Sequence, residues 1–132
     1  MPETTSEPRG ELALRTSPRP ADTKARGDIF GGWLLAQMDV AGGITAQARA
    51  GGRVATVAID SMSFHRPVYV GDVLCVYAEL LRVGHTSMTY RIEAWVIRRD
   101  SRERVKVTEG TFTYVAIDEH GNKRPVPPAG SG

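Results

Sequence analysis

One segment constrains the fold of this chain more than any other, the stretch from Gly31 to about Arg49. A helix that is apolar on every side is typical of a buried position rather than of a surface. The pair Gly51-Gly52 is expected to end this helix. Its apolar residues cover almost the whole circumference of a helical wheel: Trp33, Leu34, Leu35, Ala36, Met38, Val40, Ala41, Ile44, Ala46 and Ala48.

Everything after this helix has the pattern of β-strands. Four segments, about 54–65, 73–82, 86–98 and 104–117, are separated by short turns, and a short first strand is expected at 12–15. Short connections between long strands indicate antiparallel hairpins. The sequence predicts an α+β fold in which a long curved antiparallel sheet wraps around one central helix. The third segment shows the strand period most clearly, because every second residue is apolar: Met88, Tyr90, Ile92, Ala94 and Val96.

Length and composition set the outer limits. The 132 residues fit one domain, predicted at 12–124, with a disordered tail at 1–11 and a flexible tail at 125–132. The single cysteine, Cys75, excludes a disulfide framework and is consistent with a reducing compartment such as the cytoplasm. A net charge of +2 predicts neither nucleic-acid nor membrane binding, and no apolar run approaches the ~20 residues of a membrane helix.

Asp39 is the one residue that does not belong in the apolar helix. An ionised carboxylate is costly to bury without partners, so its position requires an explanation. It is either a structural carboxylate, paired with an arginine or held by hydroxyls, or a catalytic carboxylate. The sequence alone leaves both interpretations open.

A glycine pair, Gly31-Gly32, opens the same helix. Unpaired N–H groups and the positive end of the helix dipole suit a carbonyl oxygen that becomes an oxyanion. Gly31 and Asp39 are about 12 Å apart along the axis at ~1.5 Å per residue, too far for one helix to bring both to one carbonyl. If both are catalytic, we expect a two-fold homodimer in which Asp39 of one copy faces the glycine pair of the other.

At this point the sequence resembles the hotdog-fold acyl-CoA thioesterases, most closely the YciA type. The resemblance covers about 20–127 and is most specific in one block. That block runs Asp28-Ile29-Phe30-Gly31-Gly32-Trp33 and, after a short gap, Gln37-Met38-Asp39; Phe64, Arg66-Pro67-Val68 and Val70-Gly71-Asp72-Val73 also fit, as do Lys106 and Thr108-Glu109.

The resemblance implies hydrolysis of an acyl-CoA thioester to a free acid and CoA. Asp39 would be the nucleophile or the general base, and the Gly31 and Gly32 amides would form the oxyanion hole. Dimers that assemble further, commonly into hexamers as trimers of dimers, are also implied. No cofactor is expected, since CoA is part of substrate and product, and no nucleic-acid or membrane partner is expected. Candidates for binding the substrate or CoA are Arg66, Arg82, Gly84, Ser87, Phe30 and Met62.

The chain departs from the family in one place. Lys24 and Arg26 occupy a stretch where the family commonly has asparagine, and we interpret them as solvated loop charge. Two alternative functions are carried forward. A dehydratase acting on acyl thioesters typically uses a histidine near the helix, but Phe30 precedes the glycine pair here. A non-catalytic acyl-CoA-binding regulatory module would bind without turnover and would not need Asp39.

Overall fold

A computed structural model describes residues 7–24, 28–29 and 31–129 of the chain. The part that it describes contains one long helix and five strands, which confirms the predicted inventory. The elements are β1 (Glu11–Thr16), α1 (Gly31–Ala50), β2 (Val54–Phe64), β3 (Val73–Val83), β4 (Ser87–Ile97) and β5 (Arg104–Ala116), with a short 3-10 turn at Pro20–Asp22.

The five strands form one antiparallel sheet in the order β1-β3-β4-β5-β2. The helix α1 packs against all five strands, so the sheet wraps around it as the sequence predicts. The inward-facing residues of β4 are buried, but Thr89, Glu93 and Trp95 on its other face are buried as well, so burial along β4 does not alternate as the sequence pattern suggests. Strands β1 and β2 form the two edges, and β2 is the longer edge.

The helix is less enclosed than its sequence suggests. Leu34, Met38 and Ala41 face the core, but Val40 and Ile44 on the opposite side are 50% and 51% exposed. The prediction of a helix buried on all sides is therefore not met by one chain. A sheet on one side can cover only part of the circumference, and the remaining apolar surface requires another cover.

The chain packs into the domain slightly beyond both of the predicted domain bounds. Strand β1 begins at Glu11, within the predicted N-terminal tail. The predicted C-terminal tail begins with residues that contact the domain, because the Val126 side chain packs against the core and its N–H donates to the His85 carbonyl at 2.9 Å. Within the described ranges, no helix is long and apolar enough to cross a membrane.

Candidate active site

The carboxylate of Asp39 lies in the middle of α1, half buried, between β2 and β5. The Thr56 hydroxyl donates to Asp39 Oδ1 at 2.7 Å. The Tyr114 hydroxyl lies 3.1 Å from the same oxygen and 3.0 Å from the Asp39 main-chain oxygen. Among the described residues no lysine, arginine or histidine forms an ion pair with Asp39. The hydroxyl arrangement considered from the sequence is thus observed on Oδ1, whereas the described residues place no hydrogen bond on Oδ2.

Tyr114 is the residue at this site that the sequence analysis missed. It is fully buried, and burial raises the pKa of its phenol strongly, with the neighbouring Asp39 carboxylate acting in the same direction. The phenol therefore stays protonated and remains a hydrogen-bond donor. The sequence could have indicated it, because Tyr114 places a polar hydroxyl at an inward-facing position of β5, between Phe112 and Ala116.

A glycine on α1 makes room for this tyrosine. A side chain at Gly42 would overlap the hydroxyl and the ring of Tyr114, whereas a Cβ at Gly43 would meet Tyr114 at 4.0 Å, an ordinary contact. The two glycines therefore differ in their surroundings although they are adjacent in the chain. Only Gly42 is required for the close approach of the aromatic ring to the helix.

The glycine pair at the start of α1 lies away from Asp39. Gly31 and Gly32 are exposed, and a Cβ at Gly31 would be 4.0 Å from the Phe64 ring at the end of β2. Gly31 lines a pocket of about 320 Å³ together with Phe64, Arg66 and Lys24, and Asp39 is not part of that lining. Within one chain the two halves of the predicted site are therefore separate, as the spacing along the helix requires.

The predicted substrate-binding residues fall into two groups at opposite ends of the sheet. Arg66 lies in the pocket beside Gly31, and Met62 is half buried on β2 against Gly110. Arg82 and Ser87 lie at the other end, on β3 and β4. Strand β5 reaches from one end to the other, and at ~3.3 Å per residue the two ends are roughly 23 Å apart.

The remaining predicted residues have simple surroundings. Gly84 is in the β3–β4 turn, where its N–H donates to the Ser87 carbonyl at 2.8 Å. Lys24 forms an ion pair with Asp28 at 3.5 Å. Phe30 and Arg26 lie outside the described residues. The described ranges contain no group of three histidine, cysteine, aspartate or glutamate residues that could hold a metal ion.

The five-stranded antiparallel sheet and the single helix packed against it agree with one class of protein. Residues 26–101 match the family model of the thioesterase superfamily. The chain belongs to the thioesterase superfamily and has its hotdog fold.

More specific likenesses follow within that class. The acyl-CoA thioester hydrolase YciA of Salmonella typhimurium is 52% identical over 126 residues, which cover 93% of this chain and 95% of the relative. The hexameric thioesterase from Yersinia pestis superposes with a TM-score of 0.89 at 52% identity, covering 92% of this chain and 100% of that one. A hexameric broad specificity acyl-coenzyme A thioesterase superposes with a TM-score of 0.88 at 46% identity, covering 94% of this chain and 86% of that one. These likenesses confirm the predicted resemblance to YciA-type enzymes.

Proposed function

We propose that this protein hydrolyses acyl-CoA thioesters to a free carboxylic acid and CoA at a site shared by two copies of the chain. The observation that carries the proposal is a carboxylate in the middle of an apolar helix, held by hydroxyls on one oxygen and without a cationic partner among the described residues. The relatives named acyl-CoA thioester hydrolase and acyl-coenzyme A thioesterase support the reaction and the substrate class. They disfavour the dehydratase and the non-catalytic binding module.

The two halves of the site lie beside the two ends of the same strand. Asp39 contacts Thr56 near the start of β2, and Gly31 lies beside Phe64 at the end of β2. If β2 pairs antiparallel with β2 of a second copy about a two-fold axis, the start of one strand is opposite the end of the other. That pairing brings Asp39 of one copy toward the Gly31 amide of the partner.

The free edge of β2 supports this pairing. Strand β2 has 11 residues with one edge unpaired, and Val57 and Phe64 on it are more than half exposed. An exposed apolar edge strand is a template for another strand. The uncovered apolar side of α1, with Val40 and Ile44, adds further surface to bury. The hexameric state of the solved relatives supports assembly, and we propose a trimer of such dimers.

The chemistry follows from the two halves. The backbone amides of Gly31 and Gly32, in the first turn of α1, are positioned to donate to the thioester oxygen as it gains negative charge. Asp39 either attacks the carbonyl carbon, giving a mixed anhydride that water then hydrolyses, or removes a proton from the attacking water. In both routes the carbon–sulfur bond breaks and CoA leaves as the thiolate. No step needs a cofactor.

The proposed dimer also accounts for the two separated groups of candidate CoA contacts. The antiparallel arrangement turns the Arg66 end of one copy toward the Arg82, Gly84 and Ser87 end of the other. Guanidinium groups bind phosphates through charge-assisted hydrogen bonds, so we assign the CoA phosphates to these arginines. We assign the protein to the cytoplasm, where CoA thioesters are used and the free Cys75 stays reduced.

The test of Asp39 is turnover of a panel of acyl-CoA chain lengths, followed by the release of the CoA thiol. We expect Asp39→Asn and Asp39→Ala to lower kcat by roughly 10²–10⁴-fold, because either route loses its base or its nucleophile. Activity of the unmodified enzyme should fall at acidic pH, since only the ionised carboxylate can act. Asp100→Asn is the matched control, because Asp100 is an exposed aspartate in the β4–β5 turn.

Unchanged turnover in the Asp39 variants would contradict the proposed function. Binding of CoA without thiol release by the unmodified protein would instead support the regulatory module. Label found in Asp39 after single-turnover hydrolysis in heavy-oxygen water identifies the anhydride route, because the general-base route leaves both oxygens of Asp39 in place.

A further inference from the structure

We propose that Tyr114 is a positioning residue for the reaction, whose hydroxyl fixes the direction of the Asp39 carboxylate. This inference rests on the proposed role of Asp39. The inference follows from the hydrogen bonds, the packing and the charges around one phenol.

The phenol contacts Asp39 at two points. Its oxygen is 3.0 Å from the main-chain carbonyl of Asp39 and 3.1 Å from Oδ1 of the side chain. One hydroxyl proton is shared by two acceptors on the same residue, which ties the direction of the side chain to the helix backbone. Thr56 donates to the same Oδ1, so both hydroxyls hold one carboxylate oxygen and leave Oδ2 for the substrate or water.

The ring of Tyr114 is itself held in place. It packs edge-to-face on Tyr90, with ring centroids 6.1 Å apart, and is stacked with Phe112 at 6.5 Å. The space above it exists because position 42 is glycine. A buried aromatic ring with so little freedom can supply a hydroxyl of fixed direction.

Hydroxyl groups, rather than cationic side chains, orient the Asp39 carboxylate. The described residues provide no cation within ion-pair distance of Asp39, and Thr56 is the only other donor that they place on its side chain. Burial raises the pKa of the neighbouring Tyr90 phenol, while the charge of Arg49 lowers it and that of Glu11 raises it. Without the Tyr114 hydroxyl, Thr56 is the one donor among the described residues that still holds the direction of the Asp39 carboxylate.

The test compares Tyr114→Phe with Tyr90→Phe, using butyryl-CoA as substrate and thiol release as the readout. For Tyr114→Phe we expect kcat to fall roughly tenfold and KM to stay within about twofold. Tyr90→Phe removes a similarly buried phenol from the same cluster and should keep both kcat and KM. A merely structural role of Tyr114 would lower the folded fraction, which circular dichroism measures, and would leave kcat per folded site unchanged.

The outcomes separate this inference from the proposed function. An inactive Asp39→Asn together with an unmodified kcat per folded site in Tyr114→Phe overturns the positioning role and leaves the proposed function standing. An active Asp39→Asn overturns both. If Tyr114→Phe does not fold, 4-fluorophenylalanine introduced at position 114 alone is the second variant. Its fluorine fills the space of the hydroxyl without donating a hydrogen bond, so kcat should fall roughly tenfold, and an unmodified kcat overturns the inference.

Discussion

At Asp39 the surroundings explain how a carboxylate is tolerated in an apolar helix. The side chain is half buried rather than enclosed, and two hydroxyls satisfy one of its oxygens. Neutral donors stabilise the charge without neutralising it, whereas an arginine would hold the carboxylate in a salt bridge. The carboxylate is thus oriented but remains free to react, which is what a catalytic base or nucleophile requires.

Asp72 shows the opposite arrangement, that of a structural carboxylate. It is buried, accepts the Tyr69 N–H at 2.9 Å and pairs with Arg98 at 2.6 Å, so it closes the turn before β3. We expect Asp72→Ala to lower the free energy of unfolding by about 2–4 kcal/mol, because Arg98 and the Tyr69 amide lose their partner. Urea unfolding at fixed protein concentration measures this change in the free energy of unfolding. Asp100→Ala, in the exposed turn nearby, should change the free energy by less than about 0.5 kcal/mol, and equal effects would contradict the assignment.

The helix α1 could be predicted well as an element, but not the difference between its two central glycines. The apolar pattern and the Gly51-Gly52 stop give its bounds, and the structure ends it at Ala50 with Gly51 at φ +71°. The sequence also suggests that Gly42 and Gly43, which have no side chains, leave room on the face of α1 beside Asp39. Which of them receives a ring depends on the register of β5 against the helix, and that register is a tertiary property.

This difference predicts opposite effects of the same substitution. Gly42→Ala should lower the free energy of unfolding by about 1–3 kcal/mol, because the new methyl group overlaps the buried Tyr114 ring. Gly43→Ala should raise it by about 0.5–1 kcal/mol, since alanine favours the helix and meets Tyr114 at an ordinary distance. Thermal unfolding of the two variants checks the pair. A destabilisation of the same size at both positions would show that crowding by Tyr114 is not the cause.

The sequence pattern of β2 predicts the strand but not its irregular pairing. Its position in the chain is predicted, but its pairing with β5 shifts register twice, between Thr56 and Ala58 and between Asp60 and Ser63. Ser61 in the second shift has φ 56°, a region that a serine rarely adopts. A period-2 pattern predicts a regular strand and cannot indicate such bulges, because tertiary packing imposes them.

On the scale of the whole molecule, the sequence predicted both halves of the candidate site and their separation along the helix, but not the distance between the two groups of candidate CoA contacts. Arg66 and Arg82 both appear as cations near turns, and only the fold shows that they lie at opposite ends of one sheet. The expectation of a two-copy site came from the spacing between Gly31 and Asp39. Its geometric support needed the structure, in which Asp39 contacts the start of β2 and Gly31 lies beside the end of the same strand.

Assembly through β2 is tested by placing a charge on each edge of the sheet. Val57 on β2 is 53% exposed and Leu12 on β1 is 48% exposed, so neither is a core residue of one chain. We expect Val57→Glu to break the dimer and to lower turnover in parallel, because each site then loses its partner half. Leu12→Glu should keep both the dimer and the turnover. Light scattering and thiol release measure the two effects, and a fully active Val57→Glu monomer would contradict a shared site.

The two bulges of β2 have a consequence for what can bind its free edge. A regular, straight edge accepts almost any extended peptide, which makes it an aggregation hazard. Here the kinks interrupt the row of main-chain donors and acceptors at fixed points along the strand. An arbitrary straight strand cannot follow that outline over its full length. A second copy related by two-fold rotation carries the same irregularities in reverse order, so in the proposed dimer the edge would favour a copy of the chain over an arbitrary strand.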